Sequence, residues 1–354
     1  MKKTIFSIIF LCLIVGCTSS IMSEESTLSI QDTLGRTINF SKVPERIVIA
    51  GKQTPTISNF FYLFPSEIKK IIAIENRSQS KEVFLLKIDK EYDSKLILEK
   101  GAGVEQIAPL EPDLVIMVSS MKENIGIGLE EVGIKVIYLS FENYEEIYQA
   151  IQILGNVLGL ESRAEDLILE FKKIYGYINQ KLAKNSNNED VLLLQVASID
   201  NEYSFKIPSA EWLQTTMIED LEATAVWKSA SLTGGWVEVN IEQVIKWKPD
   251  IIAVINYQGQ SLEVVEKLSN NEIWNAFIKK NNIKLMAFPY DFTSWDQPDT
   301  RWILGYSWIA YVLHSEEFLE DDVIDIVNNF YKYFYQVEES YISENILPLI
   351  TKYF

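Results

Sequence analysis

The chain has 354 residues, 47% hydrophobic and 23% charged, and its 32 Lys and Arg stand against 50 Asp and Glu for a formal net charge of −18. That composition is globular, and at roughly 100–200 residues per domain the length allows about two cores. So acidic a chain has no general attraction for nucleic acid, and its single histidine, His314, leaves no means of building Ser-His-Asp or Cys-His catalysis elsewhere, or a multi-histidine metal site.

Lys2 and Lys3 precede an apolar run from Ile5 to Val15, then Gly16 and Cys17. The run is too short to span a bilayer, which needs about 20 residues, and reads as a signal peptide over 1–16. Ile14-Val15-Gly16-Cys17 resembles a bacterial lipobox, which implies a lipid on Cys17 as the only membrane attachment. Residues 17–27 are then a polar tether, Cys12 is discarded, and the protein stands lipid-anchored on the outer side of the cell membrane, facing the periplasm or the exterior. An ordinary signal peptide with an incidental cysteine is the plainer alternative.

Short β-branched runs follow at Arg46–Ala50, Ile71–Ile74, Leu114–Val118 and Lys135–Leu139, and again at Val191–Val196, Ile251–Ile255 and Ile283–Ala287. Helical stretches separate them, the pattern of parallel sheets in α/β domains. From Tyr144 to Ala183 apolar residues recur at threes and fours, with a break expected near Leu160 at Gly155 and Gly159. The expected architecture is therefore α/β: a lobe over 28–159, a single connecting helix over 160–184, a second lobe over 185–354, and a ligand cleft between the lobes at the carboxyl ends of the strands.

An internal repeat supports two related lobes. Val104-Glu105-Gln106-Ile107 leads to Pro112-Asp113-Leu114, and Ile241-Glu242-Gln243-Val244 leads to Pro249-Asp250-Ile251, without gaps at a separation of 137 residues. Pro109 should disturb the helix of the first copy.

Candidate ligand contacts come from loops at strand ends. Lys52 and Thr54 follow the first strand, and Ser119 and Ser120 follow Leu114–Val118. Trp236 follows a Gly-Gly turn, while Tyr290 and Trp295 stand in an aromatic loop after Ala287. Arg301 is expected in the first turn of a helix beginning near Pro298, where it would reinforce anion binding; Asp296 or Asp299 could instead neutralise it. His314 reads as structural. No nucleotide fingerprint occurs, since Gly101-x-Gly103 and Gly126-x-Gly128 lack a third glycine, so no cofactor is expected.

Ser29–Ile38 followed by Val43-Pro44-Glu45-Arg46-Ile47-Val48, the two Glu-Gln…Pro-Asp copies, and Ser294-Trp295-Asp296-Gln297-Pro298 resemble the helical-backbone substrate-binding proteins of ABC importers for ferric siderophores, haem, cobalamin, and molybdate or tungstate. The chain departs from that pattern at Gly51–Pro55 and across Asn76–Lys100. The resemblance implies a non-enzymatic, monomeric uptake receptor for a metal chelate or oxyanion. It implies docking onto a permease, served by a separate ATPase, through Glu105 and Glu242. A surface carbohydrate enzyme and a sensory or adhesion lipoprotein are the alternatives.

Overall fold

The computed structural model describes residues 28–77, 84–182, 188–199, 202–232 and 234–354, so the signal peptide, Cys17 and the tether lie outside the described residues. Strands β1 (Leu28–Gln31) and β2 (Thr37–Phe40) form an antiparallel hairpin. Asp32 pins its turn by accepting the Leu34 and Arg36 backbone N–H groups and pairing with the Arg36 guanidinium at 2.7 Å.

The chain then alternates β3 (Ile47–Ile49), α1 (Thr54–Phe61), β4 (Ile71–Glu75), α2 (Leu85–Ile88), β5 (Leu96–Leu98), α3 (Val104–Ile107), β6 (Leu114–Val118), α4 (Ile127–Glu131) and β7 (Val136–Leu139). These strands make one parallel sheet in the order β5-β4-β3-β6-β7. Every residue of β3, β6 and β7 is buried, as strands covered by helices on both faces require.

Helix α5 (Tyr144–Leu158) ends on Gly159, whose φ of 70° stops it, and α6 (Glu161–Leu182) follows at once. Of the two glycines expected to break this segment, only Gly159 does so. Gly155 stays helical, and a Cβ there would lie 2.4 Å from Cβ of Ala164, so its role is close approach of the two helices. Ala164, Leu167, Phe171, Ile174, Ile178 and Leu182 form the buried stripe of α6.

The second lobe holds β8 (Asp190–Ile199), β9 (Glu202–Ile207), α7 (Leu213–Asp220), β10 (Thr224–Ala225), β11 (Val237–Val239), α8 (Ile241–Trp247), β12 (Ile251–Ile255), α9 (Ser261–Asn270), α10 (Glu272–Asn281) and β13 (Lys284–Ala287). Its sheet runs β11-β9-β8-β12-β13, with β10 also beside β8. Strands β8, β10, β12 and β13 are parallel, while β9 runs antiparallel to both of its neighbours, β8 and β11. The cause is local: two residues separate the end of β8 from the start of β9, too few for the helical crossover that parallel neighbours need.

The repeat has a common physical basis in both lobes. Glu111 and Lys248, each just before its proline, take left-handed φ values of 49° and 51° and end their helical turns. Asp113 then accepts the Glu45 and Arg46 N–H groups, and Asp250 accepts the Asp190 N–H at 2.9 Å. Each Pro-Asp therefore stops a helix and fixes the start of the neighbouring strand. Pro109 shortens the first copy, where α3 gives way to a 3-10 turn over Ala108–Leu110.

Helix α11 (Trp302–Leu313) is buried along almost its whole length, and α12 (Glu320–Phe334) lies along α6. Tyr177 and Lys181 bind Asp322, Arg163 donates to the carbonyls of Tyr333 and Phe334, and the Phe171 and Phe334 rings are 4.3 Å apart. The connecting helix is thus clasped by the C-terminal segment. No helix among the described residues is long and apolar enough to cross a membrane.

Candidate functional site: an interlobe cleft

A cleft of about 700 Å³ separates the lobes. The first lobe contributes Lys52, Gln53, Thr54 and Asn59 around the start of α1, Glu75 and Arg77 at the end of β4, and Phe84, Tyr92, Ile97 and Lys100. Tyr257, Tyr290, Phe292, Thr293 and Gln297 form the opposite wall. Among the described residues, three cations thus line the cleft against a single carboxylate, Glu75, in a chain whose net charge is −18.

Each wall is held by buried polar groups. Glu75 accepts the Gly51 and Gly101 N–H groups and pairs with Arg77 at 2.6 Å. Thr54 Oγ1 donates to the Glu75 carbonyl at 2.8 Å. Asp89 fixes the segment that carries Phe84 and Tyr92, taking the Tyr62 hydroxyl at 2.6 Å and the Lys95 ammonium at 3.0 Å. Burial alone would raise the Asp89 pKa, but these two donors and the Glu91 N–H hold it below the usual carboxylate range.

On the far wall the Tyr257 hydroxyl turns inward to Asp296 at 2.9 Å, which leaves its ring to line the cleft. Burial pushes the Asp296 carboxyl up, against hydrogen bonds from Ser294, Tyr257 and Gln214. Phe84 reaches across from the first lobe to within 5.3 Å of the Phe292 and Tyr331 ring centres.

Of the residues expected to face a ligand, Lys52, Thr54 and Tyr290 line the cleft. Ser119 and Ser120 do not: the chain enters a 3-10 turn at Ser119–Met121, and Ser119 Oγ lies 2.8 Å from Ser140 Oγ. Met121 packs on Gly51 there, so the Lys52 loop forms the wall instead. Trp236 is half-buried behind Tyr257, edge-on at 5.9 Å.

Trp295 is fully buried, its Nε1 donating to Asp291 at 3.0 Å and its carbonyl closely covered by α11 at Gly305. Arg301 is also fully buried, because α11 begins at Trp302 and Arg301 is its cap rather than a member of its first turn. It pairs with Asp291 at 3.1 Å and Asp299 at 3.0 Å, so the neutralising alternative holds, with Asp299 and not Asp296. Its guanidinium carbon sits 4.9 Å from the centre of the Phe84 ring, which stands between it and the cleft.

Arg77, Lys100, Phe84 and Tyr92 were not singled out from sequence. They lie in Asn76–Lys100, where no period shows; the available signal was their position beyond a buried strand, as it was for Lys52. Glu105 and Glu242 are exposed in the first turns of α3 and α8, outside the cleft. His314 is buried, with Nε2 3.4 Å from the Leu221 carbonyl. Among the described residues no group of three or more His, Cys, Asp or Glu could hold a metal ion.

Residues 76–289, more than half the chain, match the periplasmic binding protein family. The chain belongs to that family. As a periplasmic binding protein it is 25% identical over 303 residues to the uncharacterized ABC transporter substrate-binding lipoprotein YvrC of Bacillus subtilis, covering 84% of this chain and 89% of that one. It is also 25% identical over 281 residues to the Fe(3+)-citrate-binding protein YfmC of Bacillus subtilis, covering 76% and 84%. In fold it resembles the molybdate-bound periplasmic binding protein MolA of Haemophilus influenzae, with a TM-score of 0.66 at 18% identity, covering 88% of this chain and 98% of that one.

Proposed function

We propose that this periplasmic binding protein is the extracytoplasmic solute-binding component of an ABC importer. It captures a metal chelate in the interlobe cleft and delivers it to a membrane permease driven by a separate ATPase. A ferric siderophore leads the candidates, ahead of haem, cobalamin, and molybdate or tungstate. Glu105 and Glu242, one exposed carboxylate at the same place in each lobe, are the docking points, and lipid on Cys17 holds the monomer at the membrane. The supporting observation is the cleft itself: about 700 Å³, walled by both lobes, in a chain of this family. Cavities of that size take whole small molecules rather than bare ions. A glycosidase needs two carboxylates flanking its substrate, whereas among the described residues Glu75 is the one carboxylate lining this cleft and it is paired with Arg77.

The test is calorimetric titration, with tryptophan fluorescence alongside, of the soluble Ser20–Phe354 chain against ferric siderophores, haem, cobalamin, molybdate and tungstate. Saturable binding at micromolar affinity or tighter by one class is expected. Silence across the whole panel overturns the import reading.

A further inference from the structure

The three cations that line the cleft among the described residues belong to three different loops. Lys52 follows β3, Arg77 follows β4 and Lys100 follows β5, and these strands are neighbours in the parallel sheet. Their loops therefore leave the sheet side by side, at a spacing of about 4.8 Å per strand.

One buried carboxylate ties the loops together. Glu75, the last residue of β4, accepts the Gly51 N–H through Oε2 at 2.7 Å, the Gly101 N–H through Oε1 at 2.8 Å, and Arg77 Nε at 2.6 Å. Gly51 and Gly101 both have a φ of 89°, a conformation open to glycine and strained for other residues. Lys52 and Lys100 each flank one of these glycines, both are exposed, and neither forms an ion pair with a described residue. The facing wall, by contrast, offers the uncharged rings of Tyr257, Tyr290 and Phe292.

We infer that the cleft selects a ferric chelate carrying at least two negative charges, its carboxylate or phenolate oxygens held by Lys52, Arg77 and Lys100, and that Glu75 is the positioning residue that sets these three loops. The inference rests on the import reading above and narrows its substrate class. A carboxylate beside an anion-binding surface weakens the local field, so charge does not explain Glu75. Geometry does, since an ionised carboxylate accepts from several donors at once, and an amide in its place would turn an NH₂ toward one of them.

The test is calorimetry on the full chain in detergent with three probes: ferric citrate, ferric enterobactin as a tris-catecholate, and ferrichrome as an uncharged trihydroxamate. One of the two anionic chelates is expected to bind at least about tenfold tighter than ferrichrome, and to weaken as salt rises from ~50 to ~300 mM. Which of the two binds identifies carboxylate or phenolate oxygen as the recognised group. Lys52→Gln and Lys100→Gln, both at exposed positions, are each expected to weaken that chelate about tenfold or more. Glu75→Gln removes a negative charge yet is expected to weaken it too, with a smaller preference over ferrichrome. Tighter binding by Glu75→Gln overturns the positioning role. Ferrichrome binding as tightly as the anionic chelates, without salt dependence, overturns the charge selection and leaves the import reading standing; binding by none of the three overturns the charge selection, and silence across the wider panel overturns both.

Discussion

Charge is buried just behind the cleft, and one guanidinium holds it. Asp291 and Asp299 both pair with Arg301, while Trp295 and Tyr331 donate to Asp291 and Asn59 Nδ2 reaches Asp299 at 2.6 Å. Burial alone would lower the Arg301 pKa, but Asp291, Tyr331 and Asp299 more than reverse that, so the side chain stays charged. Arg301→Met leaves two buried carboxylates without their cation and should cost about 3–5 kcal/mol in urea unfolding; a loss below about 1 kcal/mol would mean that water reaches the network. Asp296 acts in the opposite sense. Its folded-state pKa is raised above the unfolded value of about 3.9, so the native state holds the proton more tightly. Its contribution is therefore fully present at acid pH and is lost as pH climbs through the folded value. Asp296→Asn keeps an acceptor for Tyr257 and cannot ionise. The stability of the variant relative to wild type should rise as pH climbs above the unfolded value of about 3.9 and level off once the folded value is passed, measured by urea unfolding at a series of pH values, and a constant difference would show that Asp296 ionises in the fold without cost.

Among the elements, the junction of α5 and α6 has the least room. A Cβ on Gly155 would meet Cβ of Ala164 at 2.4 Å and the Leu160 carbonyl oxygen at 3.1 Å. Gly155→Ala gains about 1 kcal/mol of helix propensity but must push the two helices apart, at a cost of about 1–3 kcal/mol. A lowered melting temperature is expected, and an unchanged or raised one would show that the elbow opens freely. This junction, the repeat and the central strands were legible from sequence because each rests on residues with one strong conformational preference: glycine at φ 70°, Pro-Asp after a helix, and β-branched runs buried on both faces, which place Leu114–Val118 and Ile251–Ile255 where the pattern puts them. Strand β5 has three residues and β10 two, too few to show a period, and β9 and β11 lie at a partly exposed edge. The site was less legible than the fold. Lys52, Thr54 and Tyr290 could be placed because they follow strands directly. Trp295 and Arg301 also sit in a loop, but their burial is decided by α11 and α12, which arrive later in the chain and cover them.

At the scale of the whole molecule, the lobes are joined by more than one helix. Asn59 of the first lobe binds Asp299 and accepts from the Tyr335 hydroxyl at 3.1 Å, the Glu142 carbonyl accepts from Leu213, and α12 runs beside α6. Such ties favour small movements over wide closure, so the surface met by a partner would differ little with and without cargo. Glu105 and Glu242 suit that arrangement. Each opens the short helix before a central strand of its lobe, each is exposed, and neither lines the cleft. Exposed first-turn carboxylates gain little stability from the helix dipole, about 0.3–1 kcal/mol at most, so their reversal should leave the fold intact. The double variant Glu105→Arg, Glu242→Arg is expected to lower uptake by reconstituted importer at least about tenfold, through like-charge repulsion at both contacts. Cargo affinity of the isolated protein should stay within about twofold of wild type, because both positions lie outside the cleft and exposed charges are screened beyond about 10 Å at 0.1 M salt. Each single variant should fall between, since under the docking proposal one carboxylate contact is left in place. Equal loss of uptake and affinity would assign these residues to the cleft or to stability, and unchanged uptake would remove them from docking altogether.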